Sequence, residues 1–445
     1  MDCSSDVVVL GAGASGLAAA DRLTRAGLRI VVLEARDRPG GRVDTVRDAL
    51  DGTPLELGAE FFHGKPRLLQ KLARSARVKV GTCNDSHALL WRGRLRDGDA
   101  DFDFVEDLAS AEPPDRPVGQ LLSEHARSGL WSERKVLLAR AYVEGFYAAT
   151  VDTASSLAIA RMERAAEALG GIAPSRALQG YDRVLAPLVR GLMRRPQTLF
   201  FNAVAEQVRW SPRGVEVRAR TREGSPLGIF RARRAVVSLP LGVLKAAPPE
   251  PGAVRFLPRL PEKERAMARL EMGPLVKVLL RFRSPFWEER EDTRRHGFFH
   301  APRLSIPTWW TLSPLRSRYL VGWTGGPAAE ALSRLREQEV FRHAVESLGR
   351  IFKLPRRALE EQVESWRVQD WQREPFSRGG YCVIPAGAVD AMDALARPVQ
   401  GTLFFAGEAT HLEGEEGTVH GALATGLRAA RELLGNEALA SRGAF

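Results

Sequence analysis

The chain has 445 residues, 44% of them hydrophobic and 27% charged, a length and balance that exclude a disordered segment and imply two or more domains with large buried cores. Its net charge of +11 comes mostly from arginines scattered along the chain; without a basic stripe interleaved with aromatics, nucleic acid is not an expected partner, and clusters such as Arg231–Arg234 read as solvated strand ends. Three cysteines with no close pair argue against a disulfide framework or a cysteine-based metal site, no metal is expected, and no apolar run reaches membrane length, so a soluble, cytoplasmic protein is expected.

The stretch Asp6–Arg42 opens on four apolar residues, Val7–Leu10, that predict a short buried strand. Gly11, Gly13, Ala14, Ser15 and Gly16 then form a glycine-rich turn into a helix. Gly11 permits the tight turn, Gly13 lets a pyrophosphate approach the backbone, and Gly16 lets the helix lie close to the sheet. After Gly27 a second strand, Leu28–Leu33, ends in Glu34, followed by Ala35 and Arg36. An acid at that point is placed to accept the ribose hydroxyls of an adenosine, so the unit reads as a dinucleotide cradle; the alternative is a purely structural turn.

Pro39-Gly40-Gly41-Arg42 follows at once, and this continuation resembles the flavin-dependent amine oxidase superfamily, which implies FAD. Leu55–Gly64 resembles the second motif of polyamine-oxidase-like members, which implies that Gly58, Ala59 and Glu60 lie beside the flavin. Glu60 and His63 become candidates for the pocket wall, against the alternatives of a solvated turn residue and a structural histidine. From about Val78 the pattern changes. Acidic Asp97–Asp107 and Glu112–Pro117 read as loops, and apolar residues from Leu121 to Phe146 recur at helical spacing. Tyr142–Ala149 resembles the helical substrate-domain insertion of bacterial members, with Phe146 either lining the pocket or belonging to the core.

Gly180-Tyr181-Asp182 opens another helix, Leu199–Trp210 reads as a strand, and the resemblance puts Val204 at a backbone contact to adenine. Ala235–Gly242 reads as a buried strand running into a turn. Leu275–Phe282 predicts a strand that carries one lysine, Lys277, among apolar neighbours. A buried lysine is costly without a partner or a task; the resemblance implies that Lys277 holds a water against the flavin N5. Trp309, Trp310 and Tyr319–Trp323 supply further strands, with Trp310 a pocket candidate, and Val340–Phe352 marks an amphipathic helix. Trp371–Tyr381 resembles the run whose tyrosine stands before the flavin. Gly380 occupies the position of the cysteine that bonds FAD in mitochondrial monoamine oxidases, so FAD is expected to be non-covalent.

Thr402–Glu408 resembles the motif whose Gly407 and Glu408 meet the ribityl chain and pyrophosphate. Thr418 reads as an N-cap and Val419 as the first residue of a helix that Gly435 stops. Monoamine and polyamine oxidases often carry a second tyrosine at the position of Thr418, whereas the threonine here resembles the histone-demethylase branch. The acidic loop His411–Glu416 reads as an attractor of cationic amines or as a solvated loop.

The resemblance covers nearly the whole chain. It implies an α/β fold in which a Rossmann-like FAD domain (1–77, 191–250 and 385–445) is interleaved with an α+β substrate domain (78–190 and 251–384). The implied activity is amine oxidation. A hydride leaves the carbon next to nitrogen, the imine hydrolyses to an aldehyde or ketone, and oxygen becomes hydrogen peroxide. Lys277, Tyr381 and Thr418 are the expected catalytic residues. The alternatives are an L-amino-acid oxidase and a flavin-binding interaction protein without turnover. Neither the particular amine nor the oligomeric state follows from the sequence.

Overall fold

A computed structural model describes residues 2–442 apart from 172, 196 and 197. Met1 and residues 443–445, the outer ends of the expected first and last segments, lie outside the described residues. Val7 to Leu10 have no exposed surface. They close the strand Asp2–Leu10 inside an eight-stranded sheet, parallel to Ile30–Leu33 on one side and to Pro226–Val237 on the other. The second half of Pro226–Val237 also pairs in parallel with Leu403–Phe405. Strands buried on both faces need apolar residues at successive positions, which is why these segments show no alternation. Arg231 and Arg233 in the middle of Pro226–Val237 are exposed.

Helices Ala14–Arg25, Tyr181–Met193 and Val419–Arg442 cover one face of this sheet through Leu17, Leu23, Val184, Leu188, Leu423 and Leu433. The first and last of these helices pack closely, since a Cβ on Gly426 would lie 2.1 Å from the carbonyl oxygen of Ser15.

A second, seven-stranded sheet runs in the order Val363–Asp370, Leu275–Phe282, Tyr319–Gly325, Thr308–Thr311, Phe298–His300, His87–Trp91 and Arg94–Asp97. Val276, Val278, Leu280, Phe299 and Trp309 on one face pack with Val340, Ala344, Leu348 and Phe352 of helix Glu337–Phe352. The opposite face carries Lys277, Arg281, Trp310 and Phe298. Both faces are covered, so all eight residues of Leu275–Phe282 are buried.

Several local expectations change. Part of Asp97–Asp107 is helical, with Asp99–Phe102 and Phe104–Ala109 in place of loop, because Phe104 and Leu108 bury against Trp131 and Tyr142. The expected strand Leu199–Trp210 is broken into Leu199–Phe200 and Val204–Ser211. Between them Asn202 takes a φ of +53°, and the N–H groups of Asn202 and Ala203 turn to the carbonyls of Arg36 and Glu34. Arg255–Leu257, expected within the substrate part, pairs with Gln207–Arg209 in the first sheet. Gly435 does not end the last helix, which continues to Arg442. A glycine inside a helix costs only about 1 kcal/mol, and the residues after it are mostly good helix formers.

Candidate functional site

The first strand delivers the chain to Gly11, whose φ is +98°. A Cβ on Gly16 would sit 2.0 Å from the Gly11 carbonyl oxygen, whereas one on Gly13 would meet nothing within 4 Å. The first contact is the close packing of helix on turn; the second is open space. Helix Ala14–Arg25 begins there without a side-chain cap, so its first N–H groups are available to an anion. Ser15 Oγ lies 3.3 Å from Thr425 Oγ1, which also accepts the Gly407 N–H at 3.0 Å. The turn is thereby tied to the strand end at Gly407. Gly40 donates to the Ala12 carbonyl at 2.8 Å, and a Cβ on Gly41 would lie 3.3 Å from the Gly13 Cα.

Glu34 is buried at the end of its strand and accepts the N–H groups of Ala12 at 2.7 Å and Arg36 at 2.9 Å. Ala35 joins it to Arg36, whose guanidinium pairs with Glu374 and donates to Ser377 Oγ at 2.8 Å. Val204 is buried and follows directly on Ala203, the residue bonded to the Glu34 carbonyl. An acid, an open glycine turn and an uncapped helix start together fit the adenosine and pyrophosphate of FAD.

Arg42 and Glu408, both expected at the cofactor, bond to each other at 2.8 Å. Arg42 also donates to the Gly380 carbonyl at 2.6 Å, and the second Glu408 oxygen accepts the N–H groups of Cys382 and Gly417, each at 3.1 Å. One buried carboxylate thus staples the Gly-Gly-Arg turn, the Tyr381 run and the loop before the last helix. Gly58 packs against the same turn, since a Cβ there would lie 1.9 Å from the Arg42 carbonyl oxygen, and the Ala59 N–H donates to that oxygen at 3.0 Å.

Lys277 is fully buried. Its Nζ donates to Glu60 Oε2 at 2.5 Å and to the Gly58 carbonyl at 3.2 Å, and it lies 5.6 Å from the centre of the Trp310 ring. Glu60 Oε1 takes Arg176 Nη1 at 2.9 Å and Trp310 Nε1 at 3.0 Å. Burial alone would raise the Glu60 carboxyl; Lys277 and Arg176 outweigh it and hold the group below its ordinary value. Tyr381 donates its hydroxyl to the Phe146 carbonyl, and a Cβ on Gly417 would lie 3.4 Å from its ring. Burial, with Glu408 nearby, raises the phenol, which therefore stays neutral. Thr418 caps the last helix: Oγ1 accepts the Gly421 N–H at 3.0 Å and donates to the Glu415 carbonyl at 2.7 Å. Val419 begins that helix. His63 sits at the exposed end of Phe61–His63, its ring 6.2 Å from that of Phe61.

The model of the family described as flavin containing amine oxidoreductase matches residues 14–434. The chain belongs to that family. This amine oxidoreductase is 30% identical to Polyamine oxidase 3 of Oryza sativa subsp. japonica, over 96% of its own length and 88% of the relative. It is 28% identical to Lysine-specific histone demethylase 1 homolog 1 of Arabidopsis thaliana over 96% of its length, and spans about half, 52%, of that protein. Among solved structures, a wild-type putrescine oxidase bound to putrescine superposes with a TM-score of 0.80 at 22% identity, over 98% of this chain and 100% of that one. Cyclohexylamine oxidase from Brevibacterium oxydans IH-35A gives 0.78 at 22% identity, over 96% and 99%. These two show the shared fold. FAD is the cofactor of this amine oxidoreductase, and flavin-dependent amine oxidation is its reaction.

Two features of the amine oxidoreductase were not anticipated. Arg176 reaches Glu60 because Pro174–Ala177 pairs with Phe61–His63, placing Arg176 opposite Phe61, and no local signal marks that long-range pairing. The acidic loop is only partly solvated, with Glu413 exposed and Glu415 half-buried. Glu416 is buried on Arg161 at 2.7 Å, and His411 lies 3.4 Å from Glu415.

Proposed function

We propose that the chain is an oxidase of amines without a carboxylate, which passes its electrons to oxygen and releases hydrogen peroxide. The carrying observation is that the two buried cations of the site, Lys277 and Arg176, both serve Glu60. An amino acid would need a cation for its carboxylate, and neither of these is uncommitted. FAD supplies the two-electron acceptor for the C–H bond next to nitrogen. The names of a polyamine oxidase among the relatives and of putrescine and cyclohexylamine oxidases among the structural neighbours support the same substrate class.

In this reading Tyr381, fixed on Phe146, forms an aromatic wall in dry surroundings that favour the neutral, reactive form of the amine. Thr418 and Val419 open a helix whose positive end would favour negative charge on a flavin held there. Lys277 has three N–H groups; Glu60 and Gly58 take two, and the third serves a water that assists reduction of oxygen. The first sheet and its helices act as the cofactor domain, with Arg255–Leu257 included, and the second sheet as the substrate domain. The free, buried Cys83 and Cys382 support a reducing, cytoplasmic location, and no helix among the described residues is long and apolar enough to cross a membrane.

Anaerobic mixing tests the proposal. Amines should bleach the flavin absorbance, L-amino acids should not, and admitting oxygen should restore the absorbance with one hydrogen peroxide per turnover. Bleaching by amino acids alone overturns it.

A further inference from the structure

Pro174–Ala177 pairs antiparallel with Phe61–His63 in the register that sets Arg176 opposite Phe61. Directly opposed residues share a face, and the guanidinium accordingly stands 5.4 Å from the centre of the Phe61 ring. Arg176 also meets Glu60 Oε1 at 2.9 Å, donates to the Thr311 carbonyl at 3.3 Å and keeps its Nε buried without a partner. Among the described residues Glu60 is the one carboxylate within ion-pair reach of Arg176, and it is likewise the one within reach of Lys277.

All three groups are buried. Glu60 is ionised, since Lys277 and Arg176 hold it below its ordinary value. The Cys83 thiol beside Arg176 is neutral, because burial pushes it up. Glu56 feels both Glu60 and Lys277; burial pushes its carboxyl up to about 7, so it is protonated at pH 6. Two positive charges and one negative then remain, and the cluster holds one uncancelled positive charge in dry surroundings. Such a charge is costly to bury alone and acts over a longer range than it would in water.

The cluster adjoins the cofactor cradle. Lys277 donates to the Gly58 carbonyl, a Cβ on Gly58 would lie 1.9 Å from the Arg42 carbonyl oxygen, and one on Gly41 would lie 3.3 Å from the Gly13 Cα. Three short steps thus lead from the ammonium to the glycine turn. FAD that takes a hydride equivalent gains two electrons and one proton, and therefore one negative charge. Fixed charge near a flavin tunes how readily it accepts them.

We propose that Arg176 sets the reduction potential of the bound FAD: by pairing with Glu60 it cancels that carboxylate and leaves the Lys277 charge free to favour the reduced flavin. Arg176 acts through Glu60 and is a positioning residue. This role rests on the reading above that Lys277 serves the flavin. The competing role for Arg176 is a brace between two short strands, which would leave the potential alone.

Reductive titration of the holoenzyme with dithionite at pH 6, against a dye of known potential, reads the effect without amine or oxygen. Arg176→Met should make the two-electron reduction about tenfold less favourable, a potential about 30 mV lower. Arg176→Lys keeps the charge and should stay within about twofold of the wild-type equilibrium. Arg176→Gln offers Glu60 an N–H but no charge, and should fall as far as Arg176→Met. Lys277→Met should also lower the potential, because Arg176 then does no more than cancel Glu60.

A wild-type potential in Arg176→Met and Arg176→Gln, with Lys277→Met lowered, overturns the role of Arg176 alone. A wild-type potential in all three overturns the placing of Lys277 at the flavin as well. Recovery in Arg176→Gln without recovery in Arg176→Lys would assign a hydrogen bond in place of a charge and overturn the proposal too. If Arg176→Met does not hold FAD, Arg176→Gln and Arg176→Lys decide in the same way. Failure of amines to bleach the flavin bears on the oxidase reading only, since no amine enters the titration.

Discussion

Glu60 and Lys277 stand 217 positions apart in the chain and meet side chain to side chain at 2.5 Å, while Arg176 holds the other oxygen of the same carboxylate at 2.9 Å. One buried anion balances two buried cations. Glu60→Gln leaves both cations without it, and removing one partner from such a group costs about 3–5 kcal/mol. Urea unfolding should show a loss of that size, and adding Arg176→Met should recover part of it. A loss below about 1 kcal/mol would mean that water, not Glu60, carries the charge balance.

Lys277→Met keeps Glu60 paired with Arg176 and Trp310, so the fold and the flavin should persist. Reoxidation of the reduced enzyme by oxygen should slow by about tenfold or more, read by stopped-flow return of the flavin absorbance. An unchanged rate removes Lys277 from the oxygen step.

The glycine turn makes a sharper distinction. Gly16→Ala drives a methyl group into the Gly11 carbonyl, whereas Gly13→Ala points one into open space. Gly16→Ala should fail to give folded protein. Gly13→Ala should fold, melt near the wild-type apoprotein and bind FAD weakly, because its methyl group occupies the approach of the pyrophosphate. Calorimetric titration of the apoprotein with FAD checks this, and wild-type affinity in Gly13→Ala would move the phosphate site elsewhere.

Burial pushes the Glu56 carboxyl up from its ordinary 4.5 to about 7, against the opposing bonds from Thr45 and the Tyr181 N–H. The folded chain therefore holds this proton more tightly than the unfolded chain. Its contribution is fully present below about pH 4.5 and is lost as pH rises to about 7, an effect on the order of 3 kcal/mol. Glu56→Gln cannot ionise, so its melting temperature relative to wild type should be higher at pH 8 than at pH 5. A difference that does not vary with pH would show that Glu56 is already ionised in the folded protein.

The strand, glycine turn and helix at the start of the chain are legible because their signals are local. Val7–Leu10, the three glycines, Glu34 and Gly40–Arg42 sit in one run of sequence, and the structure uses them in that order. Lys277 was legible as an anomaly, one charge in an apolar strand. Its partners were not, because Arg176 arrives through a strand pairing whose register no local pattern encodes. The hairpin His87–Trp91 and Arg94–Asp97 turns at Arg92-Gly93, both with positive φ, and only the glycine of that pair is a turn signal in the sequence.

The contact between Gly426 and Ser15 bears on how the protein is made. Residues 14–25 leave the ribosome well before the helix that seals them, which begins at Val419, and before Leu403–Phe405, which pairs into their sheet. During synthesis the glycine turn therefore waits for its covering helix. Flavin loading is accordingly expected to come late, after residue 426 has emerged.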